Sequence, residues 1–189
     1  VPHTAPIQAP HWLTASQLEP APAVEVAAWL FNEDSLTRRL TRLSADTFSV
    51  SPLQQGWQTL RSDECAALGV AEGSIGWVRE VFLCGHGQPW VFARSVAARS
   101  ALAEAQFDLE SLGSRSLGEL LFCDNRFVRG ALQATRYPAQ WLPQAVCEEG
   151  LWARRSCFRR DDLALLVAEI FLPAFWPSAA GTDLSATDL

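Results

Sequence analysis

Two charged side chains stand where a strand should be apolar. The stretch "GWVREVFLCGHGQPWVFARS" (76–95) reads as a β-hairpin, and Arg79 sits in its first arm among Trp77, Val78, Val81 and Phe82. Glu169 is the mirror case, since its strand face in "LALLVAEIFLP" (163–173) carries Leu165, Val167 and Phe171. An unpaired charge in such a place is costly to desolvate. Two arrangements relieve the cost. Either each charge is paired within the fold, as a buried Arg79–Glu169 ion pair or some other structural pairing, or the two line one pocket and face opposite ends of a small polar ligand. The planar guanidinium fork suits a carboxylate. A third element belongs to the second arrangement. Ser116-x-x-Glu119 is a capping-box pattern for a helix that starts near Leu117, and free N–H groups at such an end favour an anion.

The elements that hold these residues follow from pattern. If "GHG" (85–87) is the hairpin loop, Arg79 lies across from Ala93, beside Val91 and Ser95, and so projects over small side chains. Glu80 then lies across from Phe92 and diagonal to Arg94, a ready partner. "GLWARRSCFRR" (150–160), Asp161-Asp162 and "LALLVAEIFLP" form a second hairpin with an acidic turn. Leu36, Leu40 and Leu43 recur at helical spacing after Asp34 or Ser35 as cap, and "VEVAAWLF" (24–31) precedes them as another short helix. "DTFSVSPLQQGWQT" (46–59) alternates like a strand bent or ended at Pro52. "SDECAALGV" (62–70) suits a helix stopped near Gly69, and residues 98–113 suit one stopped at Gly113. "NRFVRGALQATRYP" (125–138) reads as a strand. Grouped strands with helices in the insertions predict an antiparallel α+β domain over residues 24–176. Residues 1–23, with five prolines, read as a draped arm. Residues 177–189 read as a disordered polar tail.

Composition narrows the chemistry. Among 189 residues there is no lysine, so all 15 basic side chains are arginine, and lysine Schiff-base or P-loop chemistry is excluded. Of the three histidines, His3 and His11 lie in the arm and His86 in the hairpin turn. A histidine metal site or a Ser-His-Asp triad is hard to assemble from them. Five scattered cysteines without a C-x-x-C pair favour reduced thiols and a cytoplasmic location. The net charge of −6 disfavours nucleic acid as a partner. The longest apolar run is interrupted by Glu169 and Pro173 and is too short to enter and span a membrane. With no long exposed apolar helix or strand edge evident, a monomer is expected.

Five blocks, in order, resemble the chorismate pyruvate-lyase family: "WLFNEDSLTRRL" (29–40), "WVREVFLCGHGQPWVFARSV" (77–96), "LGSRSLGELLF" (112–122), "GLWARRSCFRR" (150–160) and "LLVAEIFLPA" (165–174). The likeness implies a mostly antiparallel sheet of about six strands, helices on one side, and two helical flaps over an internal site. It implies a cofactor-free and metal-free lyase that removes pyruvate from chorismate to give 4-hydroxybenzoate, the opening step of ubiquinone synthesis. Arg79, with the backbone at Leu117, would hold the ring carboxylate, and Glu169 would lie near the ring hydroxyl, where it either only orients the substrate or acts as a general acid or base. The family contacts ligand through the backbone of a methionine where this chain has Leu36, a contact that survives the change. Chorismate has a second carboxylate, and among the arginines of "RRSCFRR" Arg155 is favoured to meet it. The plainer alternative for those arginines is a solvated edge paired with Asp161 and Asp162. A non-catalytic sensor of small aromatic carboxylates is the competing reading, because effector domains of some bacterial transcription regulators look like this fold.

Overall fold

A computed structural model describes residues 9–105, 109 and 113–181. In chain order the helices are α1 (Val24–Leu30), α2 (Leu36–Leu43), α3 (Ser62–Leu68), α4 (Arg99–Ala105), α5 (Leu117–Cys123) and α6 (Phe175–Ala180). The strands are β1 (Ser49–Thr59), β2 (Ile75–Gly85), β3 (Gln88–Ala98), β4 (Val128–Arg129), β5 (Gln133–Tyr137), β6 (Leu151–Arg160) and β7 (Leu163–Phe171). The helix expected over 98–113 is α4 at its start, and residues 106–108 and 110–112 lie outside the described residues. The strand expected over 125–138 is two pieces, β4 and β5, separated at Gly130. Helix α6 continues past Pro177, where the tail was expected to begin.

The strands form one antiparallel sheet in the order β1-β2-β3-β7-β6-β4, and β5 also pairs with β6. Strands β4 and β5 lie end to end along one edge of β6, opposite Phe158–Arg159 and Leu151–Arg155 respectively. The sheet is therefore six positions wide with seven strands. "LALLVAEIF" forms a strand because Asp161, at φ 51°, closes a two-residue turn that lays it on β6.

Both faces of the central strands are covered, which is why they read as nearly continuous apolar runs. On one face, Leu30, Leu36 and Leu40 of α1 and α2, with Phe175 of α6, pack on Val81, Leu83, Val91, Ala93 and Phe171. Leu117 and Leu121 of α5 pack on Trp77, Ala97, Phe158 and Leu165 of that same face. Leu30 and Leu40 are wholly buried, and burial of such a side chain contributes about 1.5–3 kcal/mol. The opposite face carries α3, whose Cys65 and Leu68 meet Val78, Val96 and Leu166. It also carries the arm, through Trp12 on a cluster that includes Phe82, Phe92 and Ile170. Helix α3 is thus the exception to the expected one-sided arrangement.

The first hairpin is tighter than the sequence suggested. Its turn is His86-Gly87, both left-handed at φ 51° and 74°, as a type I′ turn requires. A register shift follows at Leu83/Cys84, where Trp90 is the extra residue of β3. Arg79 consequently faces Ser95 rather than Ala93, and Glu80 faces Arg94 directly. Strand β1 has a similar shift between Pro52 and Gln54. Pro52 bends this edge strand without ending it.

Candidate active site

Arg79 and Glu80 are neighbours in β2, and pleating sends them to opposite faces with different fates. On the α3 face Arg94 bonds Glu64 at 2.6 Å and Glu80 at 2.7 Å, all three side chains being buried. Burial alone would push the Arg94 guanidinium down, but its bonds to Glu64 and Glu80 and their charges outweigh burial and hold it above its ordinary value. Gln54 donates to the other oxygen of Glu80. Glu80 is therefore satisfied within the fold.

Arg79 has no such partner. Its Nη2 donates to the carbonyls of Gly113 at 2.7 Å and Arg115 at 3.0 Å. Its Nε is buried without a hydrogen bond, and no carboxylate pairs with it among the described residues. Burial pushes its guanidinium below the ordinary value. A cation so placed is incomplete in a way that an anion would correct.

Glu169 reaches the same space from β7. The aligned rows run Arg79–Ser95–Val167 and Val81–Ala93–Glu169. The two charged residues therefore stand two strand spacings apart, roughly 10 Å across the sheet, and one row apart along it. The intervening strand presents only Ala93 and Ser95 beneath the gap. Arg79 and Glu169 line one cavity with Val50, Val81, Leu83, Ala93, Ser95 and Val167 on the sheet side. It is narrow, with about 30 Å³ of free volume.

The roof comes from two helix starts. Ser35 caps α2 through Arg38 N–H, and Ser116 caps α5 through Glu119 N–H. Their first turns bring Thr37, Ser116, Leu117 and Gly118 over the cavity. The Thr37 and Ser116 hydroxyls bond each other at 2.7 Å, joining α2 to α5. Leu36 opens α2 next to Thr37 and is buried in the cluster that holds Val81, Leu83 and Ala93.

The structure decides the ion-pair question, because Arg79 and Glu169 do not bond each other. Glu169 accepts instead from Nε of Arg154 at 2.6 Å, directly across the second hairpin. Sequence reasoning missed this partner, although the signal was present. A two-residue Asp161-Asp162 turn pairs Arg160 with Leu163 and hence Arg154 with Glu169. Arg155 requires a correction. It alternates to the α3 face, where it bonds Asp63 at 3.2 Å and Gln133 at 3.0 Å and stacks on Trp12. It is on the far side of the sheet from the cavity and does not join this site. The "RRSCFRR" arginines also do not pair with Asp161 and Asp162 as a simple edge would, since Arg160 bonds Asp124 at 2.8 Å. Among the described residues no three His, Cys, Asp or Glu side chains gather as metal donors would. No described helix is long and apolar enough to cross a membrane.

A buried cation and a carboxylate thus face one small cavity from two strands. The family model for chorismate lyase matches residues 7–180. The chain belongs to the chorismate lyase family. A probable chorismate pyruvate-lyase of Pseudomonas fluorescens is 64% identical over 177 residues, covering 93% of this chain and 95% of that protein. One from Pseudomonas putida is 62% identical, covering 89% and 91%. One from Pseudomonas aeruginosa is 59% identical, covering 92% and 97%. Likeness at this level and coverage makes the chain an enzyme of the chorismate pyruvate-lyase type. A transcriptional regulator from Streptomyces coelicolor shares the fold, with a TM-score of 0.50 and 16% identity over 67% of this chain and 87% of that one. At that identity the likeness is one of architecture alone.

Proposed function

We propose that this chorismate lyase family member releases pyruvate from chorismate and leaves 4-hydroxybenzoate, supplying the aromatic ring for ubiquinone synthesis. The observation that carries the reading is the pairing across one cavity of Arg79, with its unbonded buried Nε, and Glu169, over the small side chains of Ala93 and Ser95. The ring carboxylate takes the Arg79 end beneath Leu117. The ring hydroxyl lies toward Glu169. The apolar walls of Val81, Leu83 and Val167 accept the ring faces.

In this orientation the protein has little covalent work to do. The hydrogen on the ring carbon that bears the hydroxyl moves to the methylene of the enolpyruvyl group. The ether C–O bond breaks, the ring gains its third double bond, and the three-carbon fragment leaves as pyruvate. Atoms balance without an external oxidant or base, and aromaticity drives the step. Holding the substrate folded and excluding water are then the protein's main contributions.

The test is incubation of purified protein with chorismate, with pyruvate read by a coupled dehydrogenase and 4-hydroxybenzoate by chromatography. Equal amounts of both products are expected. Tight binding of 4-hydroxybenzoate with no pyruvate released would overturn the lyase reading and favour a sensor. Arg79→Gln should weaken 4-hydroxybenzoate binding about 10- to 100-fold, the worth of a lost charge-assisted contact, as read by calorimetry. Unchanged affinity would remove Arg79 from the carboxylate end.

A further inference from the structure

Arg154 stands beside Glu169 on the same face of the sheet. Arg154 is 1% exposed and uses its guanidinium in two directions. Its Nε bonds Oε2 of Glu169 at 2.6 Å. Its Nη1 donates to the backbone carbonyls of Trp29 at 2.9 Å and Asn32 at 3.0 Å. Those carbonyls belong to the end of α1 and the turn into α2, the segment that carries Thr37 onto the cavity. Arginines hold other parts of the same segment. Arg129 on β4 donates to the Glu33 carbonyl at 3.0 Å and to Ser156. Arg39 donates to the Ala28 carbonyl at 3.0 Å and lies over the Trp29 ring. Burial and then the charge of Arg154 push both Arg129 and Arg39 below their ordinary values. Arg154 alone among these three bonds a residue of the cavity wall.

We infer that α1 and α2 act as a flap over the cavity and that Arg154 is a positioning residue that couples the Glu169 carboxylate to its closure. Oε2 of Glu169 is taken by Arg154, and Oε1 accepts no hydrogen bond from a described residue, which leaves it for ligand. Rotation of Glu169 away from the ring would release Nε of Arg154, and a buried guanidinium short of its anion holds the two carbonyls less firmly. Conversely, an open flap would take the Trp29 and Asn32 carbonyls from Arg154 and free the guanidinium to draw Glu169 out of line. The flap and the carboxylate therefore reach their working positions together. Lysine cannot replace this arginine, because one ammonium cannot serve a carboxylate on β7 and two carbonyls on the flap as a planar fork does.

The inference rests on the lyase reading for its kinetic arm only. The full chain is compared with Arg154→Lys, Glu169→Gln and the double variant. Chorismate turnover is measured below the melting temperature of each, and backbone hydrogen exchange across residues 27–40 is followed without ligand. The expected results are a kcat loss of about tenfold or more for Arg154→Lys and a double variant no slower than the slower single one. Exchange over 27–40 should be faster in both single variants, because each weakens the same charge-assisted link. A merely structural Arg154 would lower the melting temperature, leave kcat near wild type, and combine with Glu169→Gln multiplicatively; that pattern would overturn the inference. If wild-type protein releases no pyruvate, the lyase reading fails by itself and exchange alone decides. Faster flap exchange in Glu169→Gln then supports the coupling, and unchanged exchange refutes it. Glu169→Gln carries that decision even where Arg154→Lys does not fold.

Discussion

Tyr137 is the single tyrosine of the chain, and it lies under the arm rather than near the cavity. Its hydroxyl accepts from Arg61 at 2.7 Å. Burial pushes its phenol above the ordinary value, against the smaller opposing pull of the Arg61 charge. The folded protein thus keeps this proton at a pH where the unfolded chain has lost it. The stability tied to Tyr137 is complete below about pH 10 and declines as pH rises beyond that. Phenolate absorbance should therefore appear only well above pH 10 and together with loss of circular dichroism. A reversible phenolate titration near pH 10 with the fold intact would contradict this. At the same scale, single residues were legible where their type clashes with their surroundings. Arg79 and Glu169 stood out because strand neighbours are apolar, and Arg94 stood out as a partner for Glu80. Arg154 did not stand out, because it sits in a run of arginines in which each looks like a solvated edge residue. Only strand register separates Arg154, beside Glu169, from Arg155, on the far face with Asp63.

Elements were legible where caps and breakers spell them out. Ser35 and Ser116 start α2 and α5, and Gly69, left-handed at φ 72°, ends α3. The first hairpin was not legible in register, because a bulge depends on tertiary fit. Trp90 is squeezed out of the pairing and packs against Gly85, where an added Cβ would lie 2.2 Å from the Trp90 ring. Nothing in local propensity encodes that contact. The meeting of the two helix starts was equally hidden, since Thr37 and Ser116 are 79 positions apart. Their bond gives a prediction at this scale. Thr37→Val keeps the volume and the Ser116 cap but removes the link between α2 and α5. Release of 4-hydroxybenzoate should speed up about 2- to 10-fold, the worth of one hydrogen bond, with little change in the association rate. Stopped-flow displacement reads both, and an unaltered off-rate would show that the two helices part without breaking this bond.

At the scale of the whole molecule, the sheet separates two kinds of charge. One face buries a neutralised network, with Arg94 between Glu64 and Glu80, and Arg155 on Asp63. The other face, among the described residues, leaves Arg79 without a carboxylate and gives Glu169 one arginine beside it. Conventional pairing on the first face holds the sheet rigid, and the second can then carry an incomplete cation above it. The arm takes part in this division. Trp12 donates to Asp63 at 2.9 Å, lies under Arg155 and meets Tyr137 edge-on. Leu13 adds a pair of backbone bonds to Ala134 on β5. Trp12, in the segment read from its prolines as loosely ordered or draped, is thus part of the core on the α3 face. Trp12→Ala should cost about 3–5 kcal/mol, the usual loss for truncating a buried tryptophan, and should leave Asp63 and Arg155 more exposed to water. Because the sheet lies between Trp12 and the cavity, the affinity for 4-hydroxybenzoate should stay within about twofold of wild type at temperatures where the variant is folded. Denaturant titration and calorimetry on one preparation measure both quantities. A loss of affinity in step with the loss of stability would mean that the two faces are not independent, and that the network beneath the sheet sets the position of Arg79 above it.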